Sequence, residues 1–126
     1  MAQVAVANWA FVERCPSDHF PHVFSTYPKY CYNFLGVKVT FIEGTQPIPS
    51  NTHQVRMEFK YDDGGLAKGG TVSLYVDGQN DGEGRLDMTV PMTFSGDETC
   101  NVGRDEGSPV SPDCGPRGNG FSGTVN

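Results

Sequence analysis

Residues 53–62 read His-Gln-Val-Arg-Met-Glu-Phe-Lys-Tyr-Asp, and from Val55 onward every second position is apolar: Val55, Met57, Phe59, Tyr61. The interleaved residues, Gln54, Arg56, Glu58, Lys60 and Asp62, are polar or charged. Successive side chains of a strand point to opposite faces, so this period of two predicts a half-buried strand with one face on a core and the other in water. Residues 71–77 repeat the pattern, with Val72, Leu74 and Val76 inward and Thr71, Ser73 and Tyr75 outward. Residues 85–94 place Leu86, Met88, Val90, Met92 and Phe94 opposite Asp87, Thr89, Pro91 and Thr93. Pro91 has no N–H to give a ladder, which puts that third strand at an edge or gives it a bulge. Asp77-Gly78 and Asp81-Gly82 lie between the second and third strands. Both are hairpin dipeptides, because glycine accepts positive φ freely, and they predict antiparallel pairing.

Fainter signals lie on either side. Residues 29–35 and 37–42 are aromatic and β-branched and are separated by Gly36, so they read as adjacent strands. The apolar run 4–12 around Trp9 reads as a buried strand or a short helix, and 120–125 as a last short strand carrying Phe121 and Val125 on one face. Residues 95–119 are rich in Gly and Pro and read as a long loop system with one short strand at 100–103. Gly and Pro together make 25 of 126 residues, well above the usual share of roughly 12%. Such frequent punctuation, with no helical period of ordinary length, predicts one all-β domain of antiparallel strands in a β-sandwich.

The net charge is −6. Residues 1–57 hold four bases and three acids, whereas 58–126 hold five bases and twelve acids, so the acidic surface belongs to the second half. That balance speaks against a nucleic acid bound through its phosphates. No apolar run approaches the ~18 residues of a membrane span. The start of the chain lacks the basic segment of a secretory signal, which predicts a cytoplasmic location. The four cysteines, at 15, 31, 100 and 114, form no C-x-x-C pair, so zinc and thioredoxin-type sites are not expected. In a secreted chain they could form two disulfides; without a secretory signal they read as four reduced thiols packed as small apolar side chains.

The run THQVRMEFKYDDGGLAKGGTVSLYVDGQNDGEG (52–84), with KYCYNFLGVKVTFIEGTQPIPSNTHQV upstream (29–55) and TVPMTFSGDETCNVGRDEGSPVSPDCGPRGNGFSGTVN downstream (89–126), resembles the C-terminal accessory region of bacterial arylsulfatases. The resemblance covers 29–126 and rests on long collinear wording. It implies a concanavalin A-like jelly roll, which in that family follows a larger catalytic domain. It does not imply sulfatase activity. That chemistry requires a C/S-x-P-S-R sequence matured to formylglycine, and the nearest fragment here, Cys15-Pro16-Ser17-Asp18, lacks both the spacing and the arginine. Residues 1–28 do not match the family's preceding strands, and the family continues beyond this terminus with one more apolar strand. The expected sandwich is therefore truncated, with 1–28 contributing to the same single fold. A truncated sandwich exposes edges and core, which predicts a homo-oligomer.

Other residue groups have plainer readings. Asp77, Gln79 and Asp81 alternate before a glycine as in a calcium loop, but Met88 stands where an EF-hand needs its bidentate glutamate, so 77–83 reads as a hairpin turn. The family usually has an apolar residue at the position of Asp81, which implies a looser turn here. The loop acids Asp62, Asp63, Asp97, Glu98, Asp105 and Glu106 read as solvated turn groups, not as a glycosidase pair or a calcium site. His19 and His22 lack a third ligand within reach, Arg104 and Arg117 sit among acids as ion pairs, and no G-x-S-x-G elbow is present. No catalytic residue, metal ligand or cofactor is expected. Aromatic stacking is the route by which such a domain would take a glycan. Tyr75, beside Thr71 and Ser73, with Tyr30 or Tyr32, are the candidate ligand residues; the plainer reading packs these rings in the core. The expected function is a non-catalytic interaction or oligomerisation module with a protein partner. The alternative is a stand-alone carbohydrate-binding module, for which acidic glycans would be repelled by the acidic surface.

Overall fold

The computed structural model describes residues 9–12 and 27–91. Among them are six strands and no helix: β1 (Trp9–Val12), β2 (Lys29–Phe34), β3 (Lys38–Glu43), β4 (Val55–Tyr61), β5 (Gly70–Val76) and β6 (Gln79–Leu86). They form two three-stranded antiparallel sheets, ordered β1-β2-β3 and β4-β5-β6. The apolar run around Trp9 is therefore strand where it is described. No helix among the described residues is long and apolar enough to cross a membrane.

Local chemistry closes both hairpins. Between β2 and β3, Leu35 and Gly36 have positive φ, the Val37 N–H donates to the Phe34 carbonyl (2.9 Å), and the Gly36 N–H donates to Asn33 Oδ1 (2.8 Å). Between β5 and β6, Asp77 and Gly78 have positive φ, and Val76 pairs directly with Gln79. Positive φ at both central residues makes mirror-image turns, whose twist suits a hairpin.

Each sheet gives three residues to one core: Tyr30, Tyr32 and Ile42 from the first, Val72, Leu74 and Leu86 from the second, with Phe34 and Met57 packed against them. Val72 and Leu74 are completely shielded, each worth about 1.5–3 kcal/mol of burial. The predicted inward sets of β4 and β5 share one face, as the register pairs Val55 with Val76, Met57 with Leu74 and Phe59 with Val72. On β2, Cys31 is also fully buried, although it alternates with Tyr30 and Tyr32.

The third predicted strand is corrected. It does not span 85–94; β6 runs from Gln79 to Leu86, and 87–91 are not strand. Asp81-Gly82 is accordingly within a strand and not in a loosened turn. The reason is close approach. A Cβ on Gly82 would lie 2.7 Å from the Glu43 carbonyl oxygen, and one on Gly84 would lie 2.6 Å from Ile42 Cγ1. Glycine lets β3 settle on β6, and glycine carries no hydrophobic signal, so a strand reading Gln-Asn-Asp-Gly-Glu-Gly escapes an alternation test. The expectations for residues 95–126, and those for His19, His22 and Cys15, lie outside the described residues.

Candidate functional site

The outward face of β4-β5-β6 is built in rows by the register. Arg56 stands beside Tyr75, Glu58 beside Ser73 and then Glu83, and Lys60 beside Thr71 and then Arg85. An open depression of about 640 Å³ lies over this face, lined by Glu58, Phe59, Lys60, Thr71, Ser73, Tyr75 and Glu83. Its polar groups are mostly engaged. Ser73 Oγ donates to Glu83 (3.1 Å), and Arg56 pairs with Glu58 (2.8 Å) while its guanidinium lies 4.4 Å from the centre of the Tyr75 ring. Arg85 grips Asp62 through two nitrogens (2.6 and 3.0 Å) and reaches Thr71 Oγ1 (3.3 Å). These hydrogen bonds hold the Asp62 carboxyl below its ordinary value.

The three candidate tyrosines do not share a surface. Tyr75 is half-buried on this outward face beside Thr71 and Ser73. Tyr30 and Tyr32 are core residues, 3% and 7% exposed. Burial pushes the Tyr30 hydroxyl well above the usual tyrosine range, with the neighbouring Tyr32 and Cys31 adding to the shift. The Tyr32 hydroxyl accepts from the Val90 N–H (3.0 Å), tying the segment after β6 back to β2.

Asp77 and Asp81 take separate tasks. Asp77 accepts from the Gln54 N–H (2.9 Å) and is hydrogen-bonded to His53 Nδ1 (2.6 Å), and these contacts lower its pKa. The register shifts between Leu74 and Tyr75, leaving Asp81 without a cross-strand partner, and its carboxylate turns into the seam between the sheets. There Oδ1 accepts from Thr45 Oγ1 (3.2 Å) and the Gln46 N–H (3.0 Å). Asp81 Oδ2 and His53 Nε2 are buried and find no hydrogen-bond partner among the described residues. No three His, Cys, Asp or Glu side chains among the described residues gather as a metal would require.

The second feature is the free side of β4. The Asp62 N–H donates to the Gly69 carbonyl (3.0 Å) and the Asp77 N–H to the Gln54 carbonyl (2.8 Å), which carries the β4–β5 register beyond both ends of the strand. Antiparallel partners alternate between bonded and non-bonded pairs. Residues 54, 56, 58, 60 and 62 therefore bond to β5, and Val55, Met57, Phe59 and Tyr61 point their N–H and C=O groups away from it. No described strand pairs with that side. Phe59 and Tyr61 leave 38% and 43% of their surface exposed and meet edge to face at 6.2 Å. Sequence reading assigned both to the core face, which is correct for direction. What it could not see is that the described residues leave both partly uncovered.

No family model, curated protein or solved structure matches this chain. The likeness to arylsulfatase accessory regions thus rests on the quoted sequence alone.

Proposed function

We propose that the chain is a non-catalytic β-sandwich of the concanavalin A-like kind that works by protein contact, as an accessory domain does. The observation that carries this reading is the open edge of β4. Among the described residues no strand pairs with its outer side, and two aromatic rings on it, Phe59 and Tyr61, keep 38% and 43% of their surface exposed. Unpaired N–H and C=O groups in a row are a template for another strand, and proteins that do not use such an edge blunt it with bulges, proline, charged side chains or cover. β4 has no proline. The lack of a C/S-x-P-S-R sequence supports the non-catalytic part of the reading.

A second reading, a carbohydrate-binding module, is favoured by Tyr75 beside the hydroxyls of Thr71 and Ser73 in the open depression. One screen separates the two: thermal shift and amide exchange with calcium, sulfate and a panel of neutral and sulfated oligosaccharides. The contact-module reading expects no saturable shift, with the amides of Met57, Phe59 and Tyr61 exchanging fast in dilute protein. A ligand at a hundredfold excess over Kd would raise stability by about 2.7 kcal/mol. Such a shift with one glycan, lost in Tyr75→Ala, would replace the first reading by the second.

A further inference from the structure

Resting on the contact-module reading, we infer that the partner for the β4 edge is β4 of a second copy of this chain, paired antiparallel about a two-fold axis through Phe59.

The edge itself narrows the choices. Only odd-numbered residues of β4 turn their N–H and C=O groups outward, so a symmetric antiparallel partner must set odd against odd. Three registers then keep most of the strand paired, centred on Met57, on Glu58 or on Phe59. Centring on Glu58 sets Glu58 against Glu58 and Arg56 against Lys60, and like charges directly opposite are unfavourable. Centring on Met57 gives two opposite-charge pairs, Arg56 with Glu58 in each direction.

Centring on Phe59 does more. The segment Arg56-Met57-Glu58-Phe59-Lys60-Tyr61-Asp62 inverts its charges about its middle residue. Glu58 then faces Lys60 twice and Arg56 faces Asp62 twice. All four are non-hydrogen-bonded pairs, the kind whose side chains approach more closely. On the other face Phe59 meets Phe59, and Met57 meets Tyr61 twice, which covers the two aromatic rings that are partly exposed among the described residues. Phe59 with Phe59 and Met57 with Tyr61 are the hydrogen-bonded pairs, as the outward groups require. The product is one six-stranded sheet, β6-β5-β4-β4-β5-β6, with both outward faces on the same side.

Charge exchange tests this on the full chain by sedimentation equilibrium or light scattering, with thermal midpoints confirming the fold of each variant. Wild type should show twice the 13.7 kDa chain mass. Glu58→Lys sets lysine against lysine, and Lys60→Glu sets glutamate against glutamate. Each alone should weaken the dimer at least about tenfold. Mixing the two variants restores opposite charges at both 58–60 contacts and should yield a mixed dimer, and the double variant should dimerise with itself. Phe59→Pro, which removes an outward N–H while leaving the β5 ladder intact, should give a monomer. A monomeric wild type at all accessible concentrations overturns the second copy as partner while leaving the contact-module reading to the oligosaccharide screen. A dimer indifferent to the exchanges overturns the β4 register.

Discussion

Ile42 fills the space that a side chain on Gly84 would need: a Cβ placed there would lie 2.6 Å from Ile42 Cγ1 and 2.9 Å from Cδ1. This contact joins β3 of one sheet to β6 of the other. Gly84→Ala should destabilise the protein by about 1–3 kcal/mol, the usual range for overpacking. Combining it with Ile42→Val should recover part of that loss, because the shorter side chain yields room. Urea unfolding of the two single variants and the double measures the coupling; strict additivity would mean that the seam relaxes by other means.

Asp81 ties the same seam by hydrogen bonds. Its carboxylate accepts from the Thr45 side chain and the Gln46 N–H, its carbonyl accepts from the Thr45 N–H (2.8 Å), and a Cβ on Gly44 would collide with Oδ2. Asp81→Ala leaves the part-buried Gln46 N–H and Thr45 hydroxyl without their acceptor and should cost about 1–2 kcal/mol. Gly44→Ala should be destabilising in the same assay while Gly36→Ala, which meets no neighbour, loses only the ease of its positive φ.

Acid sensitivity follows from three surface carboxyls. Asp62 is held low by Arg85, Asp77 by His53 and the Gln54 N–H, and Asp87 by Lys38. A carboxyl whose folded pKa is lowered contributes stability that is fully present above its ordinary value of 3.8 and is lost as pH falls through the folded value. The thermal midpoint should therefore vary little with these groups from pH 7 to about 5 and fall below about 4. Asp77→Asn should flatten that acid limb; an unchanged limb would show that the His53 contact does not form in solution.

The loop between β4 and β5 hangs on one hydroxyl. Tyr61 Oη donates to the Gly65 carbonyl (2.7 Å) and accepts from the Lys68 N–H (3.0 Å). Tyr61→Phe keeps the ring and removes both bonds, so a loss of about 1 kcal/mol is expected. Faster amide exchange at Lys68 should accompany it.

Tyr75 offers a contrasting case. Its ring is half-buried under Arg56, an exposed stacking contact worth about 0.5–1 kcal/mol. Tyr75→Ala should leave the thermal midpoint within a few degrees of wild type, which makes it a clean probe for any ligand in the depression.

Alternation in 53–62 and 71–77 was enough to place β4 and β5 and to say which side chains share a face, while the hairpin reading of 77–83 held at Asp77-Gly78 and not at Asp81-Gly82. It was enough because period two follows from the pleat of a single strand and needs no partner. Three other assignments depended on what lies against each face. Tyr30 and Tyr32 are as aromatic as Tyr75, yet the sheets close over the first two, because β2 lies between two strands and under the second sheet. β6 was hidden because its seam positions owe their identity to what passes over them, the backbone at Glu43 and Gly44 over Gly82 and the Ile42 side chain over Gly84. Asp81 is polar by composition and buried only because a register shift turns it toward Thr45 and Gln46. The charge inversion about Phe59 was always in the sequence, but it carries meaning only once β4 is known to be an edge with its odd-numbered groups outward. The sequence by itself determined β4 and β5 and their two faces, since those depend on local backbone geometry. The tertiary structure decided which faces are covered and which edge is open, since those depend on contacts between residues far apart in the chain.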